Sequence, residues 1–134
     1  MTEVLLPPLR ELRPAPRRRG FRMAPRDWPG PADQAGPLFP LRAAKLWRAW
    51  MDVAARQPRT VLRAQDQRTL RSLHVQRSRA LHFPDLVRAE IVTLGTARSG
   101  LVLDSRARFG CGDFGVNRRR LLRWAHDLKQ TNGT

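Results

Sequence analysis

LRAAKLWRAWMDVAARQPRTVLRA, residues 41–64, changes its hydrophobic period partway along, and that change decides the fold. From Leu41 to Arg56 the apolar residues recur at helical spacing. At ~100° per residue Ala43, Leu46, Trp47, Trp50, Met51 and Ala54 fall on one side, and Arg42, Lys45, Arg48, Asp52 and Arg56 on the other. Pro58 stops this helix, because proline has no backbone N–H and its ring clashes with the preceding turn. Beyond it the pattern becomes short and β-prone.

Four such segments follow: Thr60 to Ala64, Thr69 to Val75, Leu86 to Thr93 and Leu101 to Arg106. They are separated at Gln65–Gln67, Phe83–Asp85 and Gly95–Gly100, connections too short for helical crossovers, so an antiparallel meander is expected. A second amphipathic helix runs from Asn117 to about Lys129, with Leu121, Leu122, Trp124, Ala125 and Leu128 on its apolar side and Asn117 as its N-cap. The expected fold is α+β, a four-stranded antiparallel sheet with both helices on one face.

Residues 1–40 differ in kind, carrying nine of the eleven prolines, among them Pro7, Pro8, Pro14, Pro16, Pro25 and Pro40, interrupted by Arg17, Arg18 and Arg19. Dense proline removes donors and disfavours helix, so the stretch reads as a disordered or loosely docked arm ahead of a single domain at 41–134. Phe21, Trp28 and Phe39 are able to pin parts of it to the domain. Deleting residues 1–36 is accordingly expected to leave stability nearly unchanged.

With 134 residues and one cysteine, Cys111, the chain has no disulfide framework. It shows no basic-flanked apolar leader and no apolar run of membrane-spanning length, so a cytoplasmic protein without a membrane partner is the expectation. The net charge is +15, and 24 of the 26 basic residues are arginine. Residues 1–40 hold 7 Arg against 4 acids, and residues 41–134 hold 19 basic residues against 7 acids. The excess therefore lies on the folded part, where it attracts polyanions.

The C-terminal half carries a long motif. Ser105, Arg108, Gly110, Asp113, Gly115, Asn117 and Arg120 stand in a run that resembles the signature of the domain-of-unknown-function family 1499 of bacteria and plastids. A second motif of that family, a Ser followed by Phe-Pro-Asp-Asp, resembles Ser78 with Phe83-Pro84-Asp85. The resemblance covers roughly residues 41–130. Leu86, Asp104 and Ala107 depart from it, standing where the family has Asp, Arg and Ser. It implies a shared fold and no particular activity.

Physically, Gly110, Gly112 and Gly115 permit a tight turn into the second helix. Free N–H groups at the helix start, with Arg108 and Arg120 beside them, would suit an anion. Asp113 pairing with Arg108 to fix the turn is the structural alternative. The candidate anion-binding set is thus Arg79, Ser105, Arg108, Gly110, Asp113, Gly115, Asn117 and Arg120. Whether Arg79, Arg108 and Arg120 converge on one pocket decides between a site and a generic basic surface.

Other motifs carry less. Asp113-Phe114-Gly115 spells a kinase magnesium motif without the rest of a kinase. His74, His82, His126 and Cys111 lack metal-ligand spacing, and no cofactor is implied. Trp47 and Trp50 lie on the apolar helix face and belong to the core. Without a nucleophile, base and orienter, an enzyme is disfavoured. What the chain suits is a binding module for an anionic ligand or protein partner, with nonspecific nucleic-acid binding as the alternative.

Overall fold

The structure is a computed structural model, and it describes residues 4–108 and 115–131. A short 3-10 turn at Leu9–Glu11 precedes strands β1 (Gly20–Ala24), β2 (Gln34–Ala35) and β3 (Leu38–Phe39). Helix α1 (Ala43–Ala55) follows, then β4 (Thr60–Asp66), β5 (Arg71–Arg77), β6 (Pro84–Gly95), β7 (Arg98–Ala107) and helix α2 (Val116–Thr131). The chain is α+β.

The sheet has seven strands, in the order β2-β1-β7-β6-β5-β4 with β3 also on β7. It is mixed, since β1 and β2 run parallel while the other pairs are antiparallel. This corrects the expected four-stranded antiparallel sheet, because the three additional strands all come from the proline-rich segment. Proline density is an average over that segment. Between Pro16 and Pro25 lies a proline-free window whose N–H groups are all available, and Gly20 to Met23 pair there with Arg106 to Leu103. Gly20 is needed at this seam, where an added Cβ would come within 2.9 Å of the Ser105 carbonyl oxygen.

Both helices cover one sheet face. Leu46, Trp47, Trp50 and Val53 of α1 and Leu121, Trp124 and Leu128 of α2 bury against Val87, Ala89, Ile91, Leu101 and Leu103, with Met23 and Phe39 completing the core. These α1 positions repeat every three or four residues, which aims one stripe at the sheet. Gln57 Nε2 donates to the Val53 carbonyl at 3.0 Å, satisfying a helix-end acceptor just before Pro58.

The other face is covered by the N-terminal segment. Leu9, Ala24, Trp28 and Val102 form a second, smaller cluster there. Beyond its strand pairing and a few turn bonds, such as the Glu11 N–H to the Pro8 carbonyl at 3.0 Å, the proline-rich backbone is bonded by side chains of the sheet. The Leu6 N–H donates to Asp66 Oδ2 at 3.0 Å and the Leu9 N–H to Glu90 Oε1 at 2.8 Å. Arg71 Nη1, Arg22 Nη2 and Arg106 Nη2 donate to the carbonyls of Leu6, Leu12 and Arg13 at 2.8, 2.8 and 2.9 Å. The Leu6 N–H is the main reason the Asp66 carboxyl sits below its ordinary range.

Candidate functional site

At the end of the sheet where α2 begins, the two motifs interlock. Alternation along the strands places Gln76 of β5, Asp85 of β6 and Ser105 of β7 beside α2. Arg120, one turn into that helix, reaches back to all three. Its Nη2 pairs with Asp85 Oδ2 at 2.9 Å, its Nη1 donates to Ser105 Oγ at 3.0 Å and to Asn117 Oδ1 at 2.6 Å, and its Nε donates to Gln76 Oε1. The Ser105 hydroxyl donates to Asn117 Oδ1 at 2.6 Å. Ser105 and Asn117 are wholly buried and Arg120 is 8% exposed, so the group is a fully partnered buried network of the kind that fixes one arrangement.

The structure thus puts Asn117 inside α2, which begins at Val116, with its side chain committed to tertiary bonds rather than to an N-cap. Gly115 precedes the helix with φ +78, the left-handed conformation that favours glycine. Ser78 closes the β5–β6 hairpin: its Oγ accepts the Phe83 N–H at 2.9 Å, and its own N–H donates to the Phe83 carbonyl at 3.0 Å. Pro84 then starts β6 and delivers Asp85 to Arg120.

In front of Arg120 opens a cavity of about 300 Å³. Arg59 reaches it from the turn after α1, Arg77 and Arg79 from β5 and its hairpin, and Arg119, Arg120 and Arg123 from α2. Gln57, Pro58, Gln76, Ser78, Val116 and Trp124 complete its described wall, which contains no acidic side chain. Besides Arg120, Arg59 and Arg77 bond to the backbone: Arg59 Nε donates to the Arg77 carbonyl and Arg77 Nη1 to the His82 carbonyl, each at 3.0 Å. Among the described residues Arg79 and Arg123 enter no ion pair. Arg120 is offset by Asp85, but Arg79 and Arg123 at the rim add positive potential to a concave space, which suits a planar or tetrahedral oxyanion.

Of the candidate set, Arg79 and Arg120 meet at this cavity, and Ser105 and Asn117 stand behind it as supports. Arg108 is exposed and is not among the residues lining it. Gly110 and Asp113, with Cys111 and Gly112, lie outside the described residues. Arg59, Arg77, Arg119 and Arg123 were not singled out from sequence. The spacing of Arg119 and Arg123, four apart on the helix that carries Arg120, is the signal that marks them.

Two further buried polar groups lie elsewhere. On the opposite sheet face Asp104 takes Arg22 Nε at 2.8 Å and Arg106 Nε at 2.8 Å, and Arg22 and Asp104 are 1% and 2% exposed. Arg88 stands on the strand beside Asp104, and its Nη1, like that of Arg22, is buried without a hydrogen bond. Burial pulls Arg88 down from its ordinary range, with Asp104 opposing. On the helix face, His74 packs edge-on against Trp50, at 5.9 Å between centroids, and burial pushes its pKa down to about 4.

Among the described residues no group of three His, Cys, Asp or Glu could hold a metal ion, and no helix is long and apolar enough to cross a membrane. No family model, curated protein or solved structure matches this chain.

Proposed function

We propose that this protein is a binding module for a small anionic ligand, seated in the cavity between the β4–β5 end of the sheet and the start of α2. The observation that carries this reading is the cavity wall, with six arginines and no carboxylate among its described residues. The buried network behind Arg120 supports it by fixing the inner wall. A nucleophilic role for Ser105 is disfavoured, because its hydroxyl is wholly buried and engaged by both Asn117 and Arg120. The chain also fits a divergent relative of the family 1499 domains, since Asp85, Ser105, Asn117 and Arg120, drawn from both motifs, bond to one another.

Titrating inorganic phosphate while following thermal unfolding tests the reading. A ligand that binds only the folded state raises the melting temperature with concentration. The Arg79→Ala/Arg123→Ala pair, both exposed, should lower apparent phosphate affinity by about tenfold, as loss of two charge-assisted bonds implies, without changing the melting temperature in phosphate-free buffer. Arg108→Ala serves as the control and should leave the response intact. No stabilisation by phosphate, or equal stabilisation of the double variant, would refute the site.

A further inference from the structure

The cavity does not stand alone on its surface. The hairpin that supplies Ser78 and Arg79 to its wall continues into Leu81, 67% exposed, and Phe83, 50% exposed, and Val116 of the wall itself is 38% exposed. Large apolar side chains are exposed elsewhere too, Leu5 and Val61 among them, but those that stand beside a cluster of cations have no purpose in binding a soluble ion. They gain one if the ligand is presented by an apolar phase.

We infer that the anion taken by this pocket is the phosphate headgroup of an acidic phospholipid, met at a bilayer surface with Leu81 and Phe83 inserted beside it. This rests on the anion-binding reading above. The hairpin is bonded well enough to present them: besides the paired Ser78 and Phe83 bonds, the His82 N–H donates to the Ser78 carbonyl at 3.1 Å and Arg77 Nη1 to the His82 carbonyl at 3.0 Å. Arginine grips phosphate through two parallel N–H groups, and two weak signals together, electrostatic and apolar, are what stable attachment to a membrane surface requires. A net charge of +15 draws the molecule toward an anionic leaflet before contact. Nucleic acid fits less well. Base stacking needs flat rings, and of the three exposed apolar side chains only Phe83 has one.

The test is co-sedimentation of the whole protein with phosphatidylcholine vesicles, with and without phosphatidylglycerol, in parallel with the phosphate titration. Wild type should bind the phosphatidylglycerol vesicles and not phosphatidylcholine alone. Leu81→Ser/Phe83→Ser should weaken vesicle binding by about tenfold or more, given the apolar area withdrawn from water on insertion, while keeping its phosphate stabilisation. Arg79→Ala/Arg123→Ala should weaken both. Phosphate stabilisation without vesicle binding would overturn the lipid assignment and leave a soluble phosphate ester as the ligand. Vesicle binding that ignores Leu81 and Phe83 would reduce it to diffuse charge attraction. Vesicle binding without phosphate stabilisation would end the pocket's part in it. Single-stranded DNA that binds through Phe83 and displaces vesicles would reassign the surface to nucleic acid.

Discussion

Asp104 is a single carboxylate set among three arginines, Arg22, Arg88 and Arg106, and it stands where the resembled family has arginine. A buried ion pair contributes little compared with an apolar pair of the same shape, but removing one partner leaves the other charge stranded. Asp104→Asn should therefore destabilise the protein by about 3–5 kcal/mol in urea unfolding. An effect near zero would mean that Arg22 finds water once its partner is gone. His74 makes the opposite kind of commitment, since it is buried without its charge. Above pH 6.5 the ring is neutral in both folded and unfolded chains and pH has no hold on it. As pH falls from 6.5 toward about 4 the unfolded chain takes up a proton that the folded one refuses, so stability falls, by up to about 3 kcal/mol. His74→Phe keeps a ring against Trp50 and should abolish that slope when unfolding is compared at about pH 7 and about pH 4.5. A slope retained by the variant would place the titration elsewhere.

Among the elements, β1 matters most to the sheet. It supplies Met23 to the core, Arg22 to Asp104 and a partner for β7 from Leu103 to Arg106. Deleting residues 1–36 should cost several kcal/mol and lower the melting temperature by more than about 10 °C, or abolish the cooperative transition, as followed by circular dichroism. An unchanged transition would mean that β7 tolerates an open edge. Helix α1 was legible because Leu46, Trp47, Trp50 and Ala54 repeat at a spacing only a helix can bury, and Pro58 marks where it stops; Val53, also buried, was not among the residues that pattern marked. The segment from Thr69 to Val75 was legible as β-prone, and β5 spans Arg71–Arg77. Strand β1 was not, because Gly20-Phe21-Arg22-Met23-Ala24 is too short to show a period and its neighbours Pro16 and Pro25 dominate any window that contains it. Its polar member, Arg22, looks like a solvated residue until the sheet places Asp104 opposite.

For the molecule as a whole, each face of the sheet has its own cover. Helices seal one face, the N-terminal segment seals the other, and the end near the β5–β6 hairpin gathers six arginines in one wall. The inner part of that wall was legible, since Asp85, Ser105, Asn117 and Arg120 stand in the two motifs that resemble the family 1499 signature. The outer part was not. Arg59, Arg77 and Arg123 come from three separate segments and meet only through the β4–β5 pairing and the seating of α2, which no local pattern encodes. The same long-range closure governs how the chain reaches this state. Arg22 pairs with Asp104, 82 positions later, and Leu9 with Glu90, 81 later. During synthesis the N-terminal strand is therefore the first to emerge and among the last to be seated, and it waits unpaired until β7 has left the ribosome. The prolines on either side of it, Pro16 and Pro25, hide the strand from sequence patterns and also protect that wait, because they keep the run able to pair with another copy of itself short.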